Sequence, residues 1–358
     1  MFCTTYADKV KGFVVSLLLL MTFFIVFNVE YYTLPRQISL SEPPFRFTQI
    51  RPLRQLPVEC DLNYASDILN TSRTIPPTYP CNGTGQTVNI SGQFKFDVFN
   101  SFCHTSNETL RAILPVYSAP DYYERRRAIR ETVGKECRHF QCKVFFIIGV
   151  SVNPNVNEAV RQEYNNNKDI LIIDKIDTYR DLNNKVVAML DWLVAYCPQP
   201  KYVIHFIDDT YPNIRTFLEQ LDTINGNKYI LGKIQRSSGP VRAKQSKWYV
   251  SEQEYPHRRF PPYLFGVAYA FLNSDCKLLL EKVHASEYNW VEDVWITGHV
   301  AKAAGFTVKS FKKSCPEGVR NLNDASWQKY MCVHFVSPKQ YYDIFAEIGQ
   351  KSLVNSTR

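Results

Sequence analysis

The sequence has no Cys-x-x-Cys pair, no visible internal repeat and no long block of like charge. Without the first, nothing in the cysteine spacing suggests a zinc or redox site. Without the second, there is no sign of a repeat architecture. The third absence argues against a nucleic-acid partner: Lys plus Arg is 42 and Asp plus Glu is 34, a mild +8 over 358 residues. The one dense basic cluster, Arg125, Arg126, Arg127 and Arg130, alternates with core-type residues. With 45% hydrophobic and 21% charged residues, a real core can be buried and wholesale disorder is excluded. The length suits about two domains, or one large α/β domain with attachments. The 14% aromatic content suits a protein that handles flat apolar faces such as sugars, and equally an aromatic-rich core.

Charge is also missing from Phe13 to Phe27, and Gly12 to Val29 extends that stretch to 18 residues. About 17–20 apolar residues cross a bilayer. Lys9 and Lys11 precede the stretch, Glu30 follows it, and the next basic residue is Arg36. The positive-inside rule then places the N-terminus in the cytosol. No small-x-small pattern follows Phe27, which favours an uncleaved signal anchor over a cleaved signal peptide or a core helix. Residues 30–80 hold eight of the 20 prolines, a density that favours an extended spacer. Glycosylation sequons begin at Asn70, Asn82, Asn89, Asn107 and Asn355. The expected organisation is a cytosolic tail over 1–11, a transmembrane anchor over 12–29, a glycosylated stem over 30–92 and a luminal globular domain over 93–358. Of ten cysteines, nine follow the apolar stretch, so at least one is free or intermolecular, and the pairing cannot be read from spacing.

The globular part reads as strands alternating with helices. Phe94, Phe96 and Val98 alternate with polar residues as in a half-buried strand. Leu110–Tyr117, Lys143–Val150, Asp169–Ile173 and Tyr202–Ile207 are near-continuous apolar strands. Asp121 and Glu124 form a capping-box pattern for a helix over Tyr122–Thr132, ended by Gly134. Leu182, Val186, Met189, Leu190, Leu193 and Val194 mark an amphipathic helix. Asn213–Leu221 and Val294–Ala304 also look helical. Continuous apolar strands are buried on both faces, so the expected fold is α/β with a mostly parallel, two-sided sheet.

In open α/β sheets ligands bind at the carboxyl ends of the strands. Tyr202–Ile207 runs straight into Asp208-Asp209-Thr210, and two carboxylates there suit Mg²⁺ or Mn²⁺, which in turn holds a diphosphate. The plainer reading is a turn or a helix cap. Glu292-Asp293 is read on its own as negative charge at a helix N-terminus. His334, between Val333 and Phe335, is by itself more often a core histidine than a ligand. The arginine cluster is by default a solvated helix face.

Taken in order, these segments resemble the β-1,3-glycosyltransferase family, which includes β-1,3-galactosyltransferases and β-1,3-N-acetylglucosaminyltransferases. The likeness runs over about 110–345. Glu124 to Gly134 (ERRRAIRETVG) resembles ERRxAIRxTWG, with Val133 in place of Trp. Asp177 to Leu182 with Lys185 resembles DxYxNLTxK. Tyr202 to Asn213 (YVIHFIDDTYPN) resembles the strand that ends in the family's DDD triplet. Lys247 to Ser251 (KWYVS), Tyr255-Pro256 and Tyr263 resemble a further block, Glu292-Asp293-Val294 matches EDV, and His334 falls where a late His is expected.

The resemblance implies a type II Golgi membrane enzyme with a GT-A-type fold. It would be an inverting transferase that uses Mn²⁺ and moves galactose or N-acetylglucosamine from a UDP-sugar to a glycoprotein or glycolipid acceptor. Carried over, Asp209 and His334 would hold the metal, and Asp208, Arg125 and Arg130 would lie by the nucleotide-sugar. Asp293 would be the general base. Three departures stand out: Ile207 replaces the first acid of the triplet, Val267 and Ala268 follow Gly266 where the family has glycines, and His205 replaces a usual Lys. They leave open a second class, a weak or inactive relative that binds carbohydrate or acts as a chaperone-like partner. A third is an adhesion or receptor ectodomain.

Overall fold

The computed structural model describes residues 102–103, 110–226, 228–313, 315–317, 327 and 329–349, all within one compact unit. The expected tail, anchor and stem, the 94–98 strand, and the sequons at Asn70, Asn82, Asn89, Asn107 and Asn355 lie outside the described residues. Among the described residues no helix is long and apolar enough to cross a membrane.

The apolar runs become strands β1 (Ala112–Tyr117), β2 (Cys142–Val150), β3 (Ile170–Ile176) and β4 (Tyr202–Ile207). They lie parallel in the order β3-β2-β1-β4. Their continuous apolar character follows from a sheet covered on both sides. In β1, Ala112, Leu114 and Val116 face one core with Ile129 and Phe217, while Ile113 and Tyr117 face another with Leu190 and Trp192. The helices on these faces are α1 (Tyr123–Glu131), α2 (Val133–His139), α3 (Pro154–Asn167), α4 (Leu182–Tyr196), α5 (Ile214–Asp222) and α6 (Cys276–Val283).

After β4 come β5 (Thr210–Pro212), β6 (Tyr229–Gln235), β7 (Tyr263–Leu272), β8 (Thr307–Ser310) and β9 (Cys332–His334). The seven-stranded sheet is β3-β2-β1-β4-β7-β6-β8, in which β7 is antiparallel to both its neighbours and the other pairs are parallel. Because β7 runs against β4, its first residues lie beside the last residues of β4. β5 and β9 form a separate antiparallel pair.

Two local expectations change. No capping box starts α1; its N-cap is Tyr122, with no side-chain bond to the helix. The start is held instead by buried Arg126, which donates to the carbonyls of Ala119 (2.5 Å) and Pro120 (3.0 Å). Nor does Gly134 end the helix. The break falls at Thr132, whose hydroxyl bonds back to the Ala128 carbonyl at 2.6 Å, and Gly134 lies inside α2. The expected helix over Val294–Ala304 forms, but as a π-helix over Val294–Val300 followed by α7 (Ala301–Ala303). The Thr297 hydroxyl reaches the Asp293 carbonyl at 2.5 Å and accepts from the Leu264 amide at 2.8 Å, which ties this widened turn to β7.

Disulfides join Cys103 to Cys197 and Cys315 to Cys332, while Cys137, Cys142 and Cys276 are buried thiols. The second bridge pins β9.

Arg126 supplies the first test. Its guanidinium binds both Glu163 oxygens (2.9 and 2.6 Å) and the Ser118 hydroxyl (3.1 Å), all away from water. Removing one partner of a buried pair costs about 3–5 kcal/mol. Arg126→Met is expected to lower unfolding free energy by that amount in urea titration; a loss of about 1 kcal/mol or less would show the pair is not buried as described.

Candidate active site

The site is built at the carboxyl end of β4. Asp208 and Asp209 leave the strand, and β5 begins at once. Register pairs Thr210 with His334, so the strand carrying Asp209 and the strand carrying His334 meet there. The Val336 amide donates to the Asp209 carbonyl at 2.9 Å, and the Tyr341 hydroxyl, from α8 (Pro338–Ile344), donates to the Thr210 carbonyl at 2.7 Å. His334 Nε2 stands 3.4 Å from Asp209 Oδ1. Arg125, on α1, reaches down to Asp208 at 3.0 Å and Asp209 at 3.6 Å.

The two carboxylates differ. Burial pushes the Asp208 carboxyl up, opposed by the Ser118 hydroxyl and Arg125. Burial acts on Asp209 in the same direction, but His334 and Arg125 together hold it below its ordinary value. Asp208 Oδ2, Asp209 Oδ1 and His334 Nδ1 are buried without a hydrogen-bond partner.

Asp293 arrives from the other side. Its Oδ2 accepts from the Gly266 amide at 2.9 Å and its Oδ1 from the Val294 amide at 2.8 Å. It is therefore the N-cap of the π-helix, as the plain reading of Glu292-Asp293 had it, and it is also docked on the start of β7, beside the end of β4. Gly266 permits that approach: a Cβ there would stand 3.0 Å from the Asp293 Cβ. Burial raises the Asp293 carboxyl to about 6. Phe265, next along β7, packs edge-on to His334 at 6.0 Å between ring centroids. Thus Phe265-Gly266 has the Asp209/His334 corner on one side and Asp293 on the other.

Arg125, Asp208, Asp209 and His334 are brought together. Arg130 is not: its guanidinium is spent on Asp169 (2.7 and 2.9 Å) and Glu163 (2.7 Å) and lies over the Phe146 ring, a structural clamp between α1 and the β2–β3 side. That corrects its placement by the nucleotide. The physical reason is helical rotation: successive arginines of α1 point to the site, the interior and, for Arg127 with Glu124, the solvent.

His205 is a core residue, its Nδ1 3.1 Å from the Pro115 carbonyl and its ring between Tyr117 and Tyr269; burial drops it to about 3, so it is neutral. Val267 and Ala268 are packed in the core. Ile207 is half-buried against both cores and gives the site no polar atom.

Sequence reasoning missed Ser118 and Phe335, and it gave Lys185 no structural role. Ser118, at the end of β1, accepts from Arg126 through its hydroxyl (3.1 Å) and from Lys185 through its carbonyl (2.8 Å); no pattern marked it. Lys185, a motif match, is buried and paired with Asp177 at 2.8 Å. Phe335 is 57% exposed, has φ +59° and stacks on His334 at 3.8 Å. A bulky residue in the left-handed region is a strained arrangement of the kind that gathers at functional sites.

Glu292 gives a pH test. It is buried, accepts from the Tyr269 hydroxyl at 3.1 Å, and burial with Asp293 alongside raises it to about 8. The folded state holds this proton more tightly than the unfolded state. The penalty is thus absent below about 4.5 and complete above about 8. Glu292→Gln is expected to gain stability over wild type as pH rises from 5 to 9 in thermal melts; a pH-independent difference would place the carboxylate in water.

Comparisons with known proteins bear on this geometry. The galactosyltransferase family model matches residues 124–312, more than half of the chain. Gorilla β-1,3-galactosyltransferase 5 is 27% identical over 237 residues, covering 64% of this chain and 79% of its own. The mouse β-1,3-galactosyltransferase 5 is 30% identical, covering 63% and 75%. Mouse β-1,3-galactosyltransferase 1 is 27% identical, covering 64% and 71%. Among solved structures, a galactosyltransferase in complex with donor and acceptor sugar analogues aligns at 11% identity and TM-score 0.33, covering 68% of this chain and 94% of that one.

Proposed function

The chain belongs to the galactosyltransferase family, and on that premise we propose that it is an inverting transferase moving a hexose, galactose or N-acetylglucosamine, from a UDP-sugar to a glycan hydroxyl in β-1,3 linkage. The observation that carries the reading is the two-sided corner. An ionic set (Arg125, Asp208, Asp209, His334) and a separate carboxylate (Asp293) flank Phe265-Gly266.

The unpartnered Asp208, Asp209 and His334 atoms fit a hard cation. Among the described residues no three His, Cys, Asp or Glu side chains form a complete cage. Mg²⁺ or Mn²⁺ held by one or two protein groups takes the rest of its shell from substrate phosphates and water. Asp209 and His334 would hold it, and when bound it would neutralise charge developing on the diphosphate. Arg125 adds a fixed positive charge beside the same corner.

A sugar hydroxyl is a poor nucleophile, so a carboxylate must take its proton as it attacks C1. Asp293 has the required traits. Two backbone amides fix its orientation, and its raised carboxyl leaves it ionised yet basic near neutral pH. Attack on C1 from the face opposite the diphosphate inverts the configuration there.

The proposed setting is the Golgi lumen, with the 12–29 stretch as a type II signal anchor. Two disulfides support an oxidising compartment. A second reading, a relative that binds carbohydrate without transfer, has Ile207 in its favour, since an acid is replaced by an apolar side chain at the end of β4.

Transfer is tested by incubating the full chain with UDP-galactose or UDP-N-acetylglucosamine, Mn²⁺ and a glycan panel, and reading UDP release and product mass. UDP binding with no transfer under any pairing would favour the second reading. Asp209→Ala is expected to abolish Mn²⁺-dependent UDP binding in calorimetry, and Asp208→Ala to weaken it less; full binding by Asp209→Ala would move the metal elsewhere. Asp293→Asn is expected to keep donor binding, to keep the helix cap, since Asn ranks with Asp at that position, and to slow transfer roughly 10²–10⁴-fold. In wild type kcat/KM is expected to fall as pH drops below about 6. Transfer within a few-fold of wild type in Asp293→Asn would pass the role to Glu292.

A further inference from the structure

The Lys247 to Ser251 block has no part in the chemistry above, yet it brings an unusual surface to the Asp293 side of the site. Of the five tryptophans, Trp192, Trp290, Trp295 and Trp327 are buried, whereas Trp248 is 47% exposed. Its Nε1 donates to the Tyr179 hydroxyl at 2.8 Å, and Tyr179 is itself 49% exposed. Exposed aromatic rings usually keep rotamer freedom. Here a hydrogen bond across two distant segments fixes the indole against the phenol.

The segment around Trp248 is latched as well. Arg180, beside Tyr179, bonds Glu254 at 2.8 Å and lies over the Trp290 ring at 4.2 Å. Beneath it, Val250, Tyr255 and Phe260 form a small core with Trp290 and Val294, the residues that bracket Asp293. Preorganisation of this kind lowers the ordering cost of binding. Lys247 stands over both exposed rings, 5.2 Å from Tyr179 and 4.5 Å from Trp248. Exposed cation–π contacts are weak, so this ammonium can give way to a ligand face.

The position selects the occupant. Tyr179 packs edge-on to Trp290 at 6.5 Å between ring centroids, three residues before Asp293, and Asp293 and Glu292 add to the rise that burial gives its phenol. The rings thus adjoin the carboxylate that faces the attacking hydroxyl, not the diphosphate corner. A pyranose has an apolar C–H face and a polar rim. That matches two rigid aromatic faces bordered by Lys247 and Arg180.

We propose that Trp248 and Tyr179 form the acceptor platform, on which the terminal pyranose of the glycan stacks so that its hydroxyl meets Asp293. This rests on the transferase reading above. It adds that acceptor choice is set by the segment after β6 together with the turn after β3, separately from donor binding.

The full chain, saturated with UDP and Mn²⁺, is titrated with methyl β-glycosides of galactose, N-acetylglucosamine, N-acetylgalactosamine and xylose. Tryptophan fluorescence and its quenching by acrylamide are followed, because the exposed indole is Trp248. At least one glycoside is expected to shield that indole. Trp248→Ala is expected to lose the response and raise the acceptor KM about tenfold or more, with UDP affinity unchanged. Trp248→Phe, which keeps a ring face, is expected to restore the acceptor KM to within a few-fold. The proposal is overturned if no glycoside shields the indole while UDP is bound, or if Trp248→Ala leaves the acceptor KM unchanged. If the unaltered chain binds no UDP, the transferase reading fails and the platform's role as acceptor site fails with it.

Discussion

The buried pair between Arg126 and Glu163 organises the molecule around the site. The guanidinium gathers Ser118, Ala119 and Pro120 at the end of β1 while it belongs to α1 itself. It therefore fixes the angle at which the helix leaves the sheet, and with it the reach of Arg125 to Asp208 and Asp209. Lys185, from α4, holds the Ser118 carbonyl from another direction and pairs with Asp177 after β3. Three elements thus converge on one turn through charge-assisted hydrogen bonds shielded from water, where such bonds are strongest and their loss most costly.

The site combines two parts of the sheet with different strand directions. The parallel half supplies the turn that ends β4, as in other open α/β sheets. The antiparallel strand β7 supplies Gly266, against which Asp293 is seated. Opposed strand directions put the end of one beside the start of the other, so chemistry of opposite character meets without a long loop.

Much of the parallel half was legible in the sequence, because continuous apolar runs report burial on two faces, and the α4 repeat reports one. The antiparallel entry of β7 was not legible, since strand direction leaves no mark in composition. Nor was the β5–β9 pair, whose three-residue strands are too short for periodicity. The arginines of α1 read as one cluster because a sequence lists them together; rotation by about 100° per residue gave each a separate fate. Asp293 was legible as a helix-start acid and as a family match; the fold shows the first and adds its seat on the Gly266 amide. Phe335 and Ser118 carried no signal, as a left-handed φ and a carbonyl contact depend on neighbours far along the chain.

The closing strand of the β5–β9 pair also sets a clock. Every strand of the large sheet precedes β9 in chain order, so the sheet can assemble while His334 is still to be made. Chains emerge at about 5–20 residues per second, and domains tend to fold from the N-terminal side first. In that order the scaffold comes before the Asp209–His334 corner, which is complete only with β9 docked and the Cys315–Cys332 bridge closed. Closure of the corner is then bound up with oxidation, because the bridge that pins the last strand is anchored on the strand that carries His334.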